Sequence, residues 1–240
     1  MLNIDFDFIN SRLSSGMKLR FDVGTSTTMP NGFEWMKQDE KVFVIGIEPH
    51  PDHFSWVKNE LKNSEYEDRC YLMEYAIDNV EVLTRKVFYG LDGPETGCSD
   101  KTLSGYNTGT SSLRKPKGKF INSIDKIYNV NVISLKQILD QINYDCIDHI
   151  KVDTQGNDLN VLKSLKEHIK NVLEIQSEYD SSGDYELANT GKDLDEFLSL
   201  NNFEKYEPIL SYYKDDNDVW MYDVSDYKYR NTNLHHILNT

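Results

Sequence analysis

Residues 19–51, LRFDVGTSTTMPNGFEWMKQDEKVFVIGIEPHP, constrain the fold more than any other part of the chain. An apolar run ends in Asp22-Val23-Gly24, a loop of small residues and a short helical pattern follow, and a second apolar run ends in Glu48-Pro49. Both runs are dense in Val, Ile and Phe with almost no alternation, the pattern of parallel strands covered on both faces. The stretch therefore reads as a βαβ unit of the nucleotide-binding kind, and the cofactor is expected there.

The loop offers Gly24, Thr25 and Ser26, small residues that let a ligand approach the backbone. A dinucleotide-binding loop uses several glycines, G-x-G-x-x-G, to seat a pyrophosphate on a helix N-terminus. Here Gly24 is followed by hydroxyl side chains, which weakens the case for a pyrophosphate. Glu48, ending the second strand, is placed to accept hydrogen bonds from ribose hydroxyls. Asp22 would repel a phosphate and suits a cationic ligand instead. A sulfonium with an amino-acid tail, S-adenosyl-L-methionine, satisfies both carboxylates better than NAD. The plainer alternative is that Asp22 and Glu48 only cap the ends of two strands.

The length of 240 residues, with 38% hydrophobic and 12% aromatic content, is enough for one large α/β domain with a sizeable core. A net charge of −14 disfavours a nucleic-acid partner, because such binding neutralises phosphates with Lys and Arg. Cys70, Cys98 and Cys146 are odd in number and lack metal-ligand spacing, so reduced thiols in a cytoplasmic setting are expected. Acidic residues stand where a signal peptide needs basic ones, and no run approaches membrane-spanning length.

Along the chain, residues 1–18 read as a helical extension, with a helix over 5–14 lying at the sheet edge. A helix over 52–63 and a third strand over 70–77 complete a βαβαβ half, leaving Ala76 and Ile77 to pack on a purine. An extra strand is expected over 81–91, then a long loop or lid over 92–122. In that loop Ser111 and Ser112 precede the basic run 114–119, which is either a solvated loop tip or part of a lid presenting hydroxyls to a substrate. A strand over 130–133 and a helix capped by Ser134 lead to the strand 147–152 and the turn Asp153-Thr154-Gln155-Gly156. A helix over 159–169, a strand over 172–177 ending at Glu178, a helix over 193–200 and a hairpin over 203–213 and 219–224 follow. The remaining 225–240 reads as a polar tail whose His235-His236 pair is too isolated for a metal site.

Four of these stretches resemble the FkbM-type S-adenosylmethionine-dependent methyltransferases over residues 19–224: Asp22-Val23-Gly24, Ile47-Glu48-Pro49-His50-Pro51, Thr110-Ser111-Ser112-Leu113, and Val132-Ile133-Ser134-Leu135 leading into Asp148. The last is the most specific, because the family pattern I-K-x-D-x-E-G is similar to Ile150-Lys151-Val152-Asp153-Thr154-Gln155-Gly156 here, with Gln155 in place of the glutamate. The first loop also lacks the Asn and second Gly common in the family. The resemblance implies a Rossmann-like class I α/β fold, with a mostly parallel seven-stranded sheet, a C-terminal antiparallel hairpin and helices on both faces. It also implies methyl transfer to a hydroxyl of a sugar, glycan or small metabolite.

Methyl transfer from a sulfonium needs alignment and removal of the hydroxyl proton. Asp153, at the carboxyl end of the fourth parallel strand, is the candidate base; the alternative is a cap for the following helix. Lys151 shares its face of the strand and needs a partner, Asp153 or Glu178, unless its stem carries the charge to water. Gln155 and Glu178, with Ser111 and Ser112, are candidates for binding the acceptor. Mg²⁺ held by Asp153 and Glu178 ranks below a metal-free mechanism, since glutamine is a poor hard-cation ligand. An NAD-dependent oxidoreductase and a non-catalytic binding module that has lost its chemistry are the rival readings.

Overall fold

A computed structural model describes residues 2–91, 110–179, 183–214 and 220–234 of the 240. Asp5 caps α1 (Phe6–Ser14) by accepting a hydrogen bond from the Phe8 amide, and the helix buries Ile9 and rests Phe8 on Phe43 and Tyr71. β1 (Lys18–Val23), α2 (Pro30–Gln38), β2 (Val42–Ile47), α3 (Pro51–Lys62) and β3 (Cys70–Met73) form the expected βαβαβ half. Its strands pair in parallel. Three strands then form a separate small sheet: β4 (Ala76–Ile77), β5 (Thr84–Gly90) and β6 (Lys126–Ile133). The chain returns to the main sheet through α4 (Leu135–Leu139), β7 (Ile147–Val152), α5 (Asp158–Lys163), β8 (Val172–Glu178), α6 (Gly191–Leu200), β9 (Phe203–Lys214) and β10 (Trp220–Asn231).

The main sheet has the order β3-β2-β1-β7-β8-β10-β9, parallel except for β10 and β9. This is the expected Rossmann-like class I arrangement, a mostly parallel seven-stranded sheet with a C-terminal antiparallel hairpin. Side-chain alternation sorts the strand residues onto two faces. Leu19, Phe21, Val23, Phe43, Ile45, Ile47, Ile150, Val152 and Ile175 join α1, α4, α5 and α6 in the main core. Val42 and Val44 face the other way, against Met29 and Met36 of the α2 region and Val57 and Leu61 of α3. Helices thus cover both faces. The strand order reverses between β1 and β7, so a crevice opens at their carboxyl ends.

Several sequence expectations need correction. The run 70–77 is not one strand: the chain leaves the main sheet after Met73, and Ala76 and Ile77 pair in parallel with Val132 and Ile133. The strands expected over 81–91 and 130–133 also belong to the small sheet, whose core is Ala76, Phe88, Val130 and Val132. The helix expected over 159–169 stops at Lys163, and Lys166, at φ +51°, starts a 3₁₀ turn, Lys166–Asn171. The last strand does not end at Val224 but continues to Asn231, pairing with β8 from Asp226 to Arg230.

The start of the basic run is docked, not a solvated loop tip. Tyr89 bridges to Ser112, Pro116 bridges to Tyr185, and Lys115 pairs with Glu186 at 3.0 Å. Most of the expected loop or lid, residues 92–109, and the His235-His236 pair lie outside the described residues, as does Cys98. Among the described residues no helix is long and apolar enough to cross a membrane.

Candidate active site

At the carboxyl ends of β1, β2 and β7 lies an open cleft, the place where ligands bind in doubly wound sheets. Gly24, Ser26, Glu48, Pro49, Ala76, Ile77, Ser111 and Asp153 line it, eight of the residues singled out from the sequence. Asp22, Thr25, Lys151, Ser112, Gln155 and Glu178 stand behind or beside the lining rather than on it.

The β1 turn is set by contact with β7. Gly24 has φ +84°, and a Cβ there would lie 1.9 Å from the Asp153 carbonyl oxygen. No side chain fits. The Asp153 amide donates to the Val23 carbonyl at 3.0 Å, so the two strand ends are tied together at the crevice floor. Glycine is therefore needed here for strand-to-strand approach, whatever ligand the loop receives.

Asp22 is fully buried, and its Oδ2 accepts the Gly32 amide at 3.0 Å. Gly32 is in the first turn of α2, whose N-cap, Met29, is in the left-handed region and makes no side-chain cap bond. Asp22 supplies that missing acceptor from the neighbouring strand, in the place where the helix dipole favours a negative charge. This role is structural, but it is a helix that Asp22 caps and not the end of its own strand, which was the alternative raised by the sequence. Thr25 is equally sealed, its methyl turned toward Gly46.

Glu48 sits differently. It lines the cleft at 4% exposure, with Oε2 accepting the Ser26 amide at 2.8 Å and Oε1 the His50 amide at 2.9 Å. Each carboxylate oxygen can accept a second hydrogen bond, so capacity remains on the cleft side for a pair of hydroxyls. Burial pushes the Glu48 carboxyl up to about 7, against the opposing effects of His53, the two amides and Lys151. Apolar surface from Ile47, Tyr75, Ala76, Ile77 and Phe88 flanks it, a setting suited to a purine.

At the opposite wall Asp153 is half-buried, with one donor on each oxygen and acceptor capacity left over. Its Oδ2 accepts Lys151 Nζ at 3.2 Å, and its Oδ1 accepts Gln155 Nε2 at 2.8 Å. Lys151 is buried, with Nζ also 3.3 Å from the Gly24 carbonyl and 4.0 Å from Asp22 Oδ1. Burial lowers the Lys151 pKa, but Asp153 and Asp22 outweigh it and hold the ammonium above its ordinary value. Of the two sequence alternatives for Lys151, the carboxylate pair is the one found. Asp153 is not the N-cap of α5: that position is Asn157, and the Asp153 oxygens accept from Lys151 and Gln155.

Gln155 has φ +54° and sends its amide nitrogen to Glu178 Oε2, at 2.9 Å, as well as to Asp153. Ser112 is buried and holds this turn from below, its hydroxyl donating to the Gln155 carbonyl at 2.7 Å. Ser111 does reach the cleft, with its Oγ accepting the Leu91 amide at 3.0 Å. Sequence reasoning missed His53, Tyr75, Phe88, Leu113 and Asn157 on the lining. Asn157 has a clear task, donating to the Ile77 carbonyl at 3.1 Å and accepting from Arg114 Nε at 3.1 Å, which ties β4 to the β7 turn. A polar residue beside Gln155-Gly156 was the only signal for it. A separate group of possible metal ligands, Asp140, Glu167 and His168, lies near the amino ends of the strands, where both carboxylates already hold Lys136.

The profile of the methyltransferase FkbM domain matches residues 22–205. Among solved structures, the methyltransferase FkbM of Methylobacillus flagellatus is similar at 13% identity over 89% of this chain and 43% of its own, with a TM-score of 0.48. M. capricolum TrmK in complex with S-adenosyl-homocysteine is similar at 7% identity over 95% of this chain and 69% of its own, with a TM-score of 0.48. The N-terminal domain of human METTL16 with the same product is similar at 10% identity over 90% of this chain and 62% of its own, with a TM-score of 0.43. The chain thus spans less than half the length of the first of these. No curated protein matches.

Proposed function

The chain belongs to the methyltransferase FkbM family, and we propose that it is an S-adenosylmethionine-dependent O-methyltransferase acting on a hydroxyl of a sugar, a glycan or another small metabolite. The observation that carries this reading is the pairing, across one cleft, of a buried carboxylate with spare acceptor capacity and a second carboxylate held by a lysine and an amide. S-adenosylmethionine, when bound, supplies an electrophilic sulfonium methyl. Glu48 accepts from the ribose hydroxyls, and Ala76 and Ile77 provide apolar surface for the base. Gly24, Ser26 and Pro49 form the adjoining wall. Asp22 and Thr25 act at one remove, by shaping the loop.

The acceptor side is formed by Asp153, with Ser111 facing the same cleft and Gln155 and Glu178 next to it. Asp153 takes the proton from the acceptor hydroxyl. Lys151 stays charged, so it positions Asp153 and offsets its charge rather than serving as a base. The family assignment favours this reading over an NAD-dependent oxidoreductase, and the single loop glycine points the same way. A hydroxyl-bearing small molecule suits the acidic surroundings better than a nucleic acid does.

Calorimetry with S-adenosylhomocysteine tests the reading. Glu48→Ala should reduce affinity by on the order of 10²-fold or more, given about 1.5–3 kcal/mol for each hydrogen bond to a charged group. Equal affinity for wild type and variant would remove the ribose assignment. The raised Glu48 pKa adds a pH signature. From about 4.5 to about 7 the folded, unliganded chain keeps a proton that the unfolded chain has released, so this carboxyl's contribution to stability is lost as pH rises through that window. Hydroxyl donors need the ionised form, so affinity should rise about tenfold between pH 6 and 8. Glu48→Gln should flatten that rise.

A further inference from the structure

The two hydrogens of one side-chain amide are placed between two carboxylates at the acceptor wall: Gln155 Nε2 lies 2.8 Å from Asp153 Oδ1 and 2.9 Å from Glu178 Oε2. The orientation of that amide is fixed by the two carboxylates, which need donors; the Tyr185 hydroxyl lies 3.2 Å from Gln155 Oε1, but its single proton has a shorter partner in the Thr110 carbonyl. A flipped amide would put three oxygens together with no proton among them. The backbone is committed to the same end: Gln155, a residue with a Cβ, is held in the left-handed region at φ +54° and followed by Gly156 at φ +83°. A strained conformation of this kind persists only where its surroundings impose it. Ser112 imposes it, by donating to the carbonyl of Gln155 itself.

Two carboxylates brought to one point repel unless something positive lies between them. A divalent ion is the usual solution, and its ligands are oxygens. The –NH₂ of Gln155 meets the same electrostatic need with two partial positive charges and no net charge. It also leaves Asp153 Oδ2 to Lys151 alone. Resting on the methyltransferase reading of this cleft, we propose that Gln155 is a positioning residue that takes the place of a cation. Its amide links Asp153 to Glu178 and holds the proton acceptor in place, so that the acceptor wall works without a divalent metal. Gln155 departs from the family's glutamate, and the geometry assigns that departure a task.

The test is a single substitution that removes the donors and restores an oxygen at the same point. Gln155→Glu places a third carboxylate between the first two, and Gln155→Met keeps the length with neither donor nor acceptor. In EDTA both variants should melt below wild type. Added Mn²⁺ should raise the melting temperature of Gln155→Glu by mass action and titrate as one further equivalent over wild type. Adding Asp153→Asn to Gln155→Glu should abolish that gain, and Gln155→Met should show none. The proposal is overturned if Gln155→Glu gains no Mn²⁺ site, or if wild type already binds Mn²⁺ in a way that Asp153→Asn removes. None of these measurements involves S-adenosylhomocysteine. A failure of the methyltransferase reading would instead appear as absent binding of that product to wild type, whatever the Mn²⁺ result.

Discussion

Replacing Asp153 with asparagine is expected to lower turnover by about 10² to 10⁴, the range for losing a general base, while leaving the affinity for S-adenosylhomocysteine unchanged. The separation follows from where the two carboxylates sit. Glu48 ends β2 and is bonded to amides of its own strand end and of the β1 loop, whereas Asp153 ends β7 and is bonded to Lys151 and Gln155. Among the described residues no hydrogen bond joins the two groups, so a change at one should not reach the other. Asparagine keeps the shape of aspartate but brings one –NH₂ to a residue whose two oxygens both face donors. One of the two bonds is lost, a cost of about 1–3 kcal/mol in stability, and the change is small beside the loss of the acceptor for a proton. Radiolabelled S-adenosylmethionine with a panel of sugars and hydroxylated metabolites gives the rate. Full activity on any acceptor that wild type methylates would make Asp153 a scaffold residue, and inactivity of wild type on every hydroxyl offered would favour the non-catalytic binding module.

The parts of this site visible in the sequence are those set by local pattern. The runs 19–23 and 42–47 are apolar enough to mark central parallel strands, and a carboxylate directly after the second must stand at the crevice, which found Glu48. Asp153 was placed there as the end of the fourth parallel strand, 147–152, in the stretch that resembles the family pattern. The shared face of Lys151 and Asp153 follows from the two-residue period of a strand, and their 3.2 Å contact bears it out. What escaped depends on contacts across the chain. Met73 and Ala76 are both buried, so hydrophobicity alone gives no sign that the chain changes sheets between them. The strand to Asn231 was hidden by composition: Asp226, Lys228 and Arg230 alternate with Tyr227 and Tyr229, a period-two pattern that reads as polar when residues are merely counted. Asp22 and Ser112 carry polar side chains at positions that looked suited to a ligand. Only the arrival of α2 over one and of the Gln155 turn over the other shows that their bonding is internal.

Lys151→Met is expected to destabilise the fold by about 3 to 5 kcal/mol, the cost of leaving buried charge without its partner. Methionine matches the length of the lysine stem, so packing is kept and the effect isolates the ammonium. Around it stand Asp153 Oδ2 at 3.2 Å, the Gly24 carbonyl at 3.3 Å and Asp22 Oδ1 at 4.0 Å, and Asp22 has no route to solvent. For a chain of this length each kcal/mol moves the melting temperature by about 2–4 °C, so a drop of roughly 6–20 °C is the readout. The partner responsible can be identified by adding Asp22→Asn, which removes the stranded charge yet keeps an oxygen for the Gly32 amide. The double variant should then be more stable than Lys151→Met alone, a coupling that contacting charges show and distant ones do not. A melting temperature for Lys151→Met within 2 °C of wild type would mean that the buried carboxylates take up protons at no cost. The lysine would then be dispensable to the fold, and its hold on Asp153 would have to be sought in the pH dependence of turnover instead.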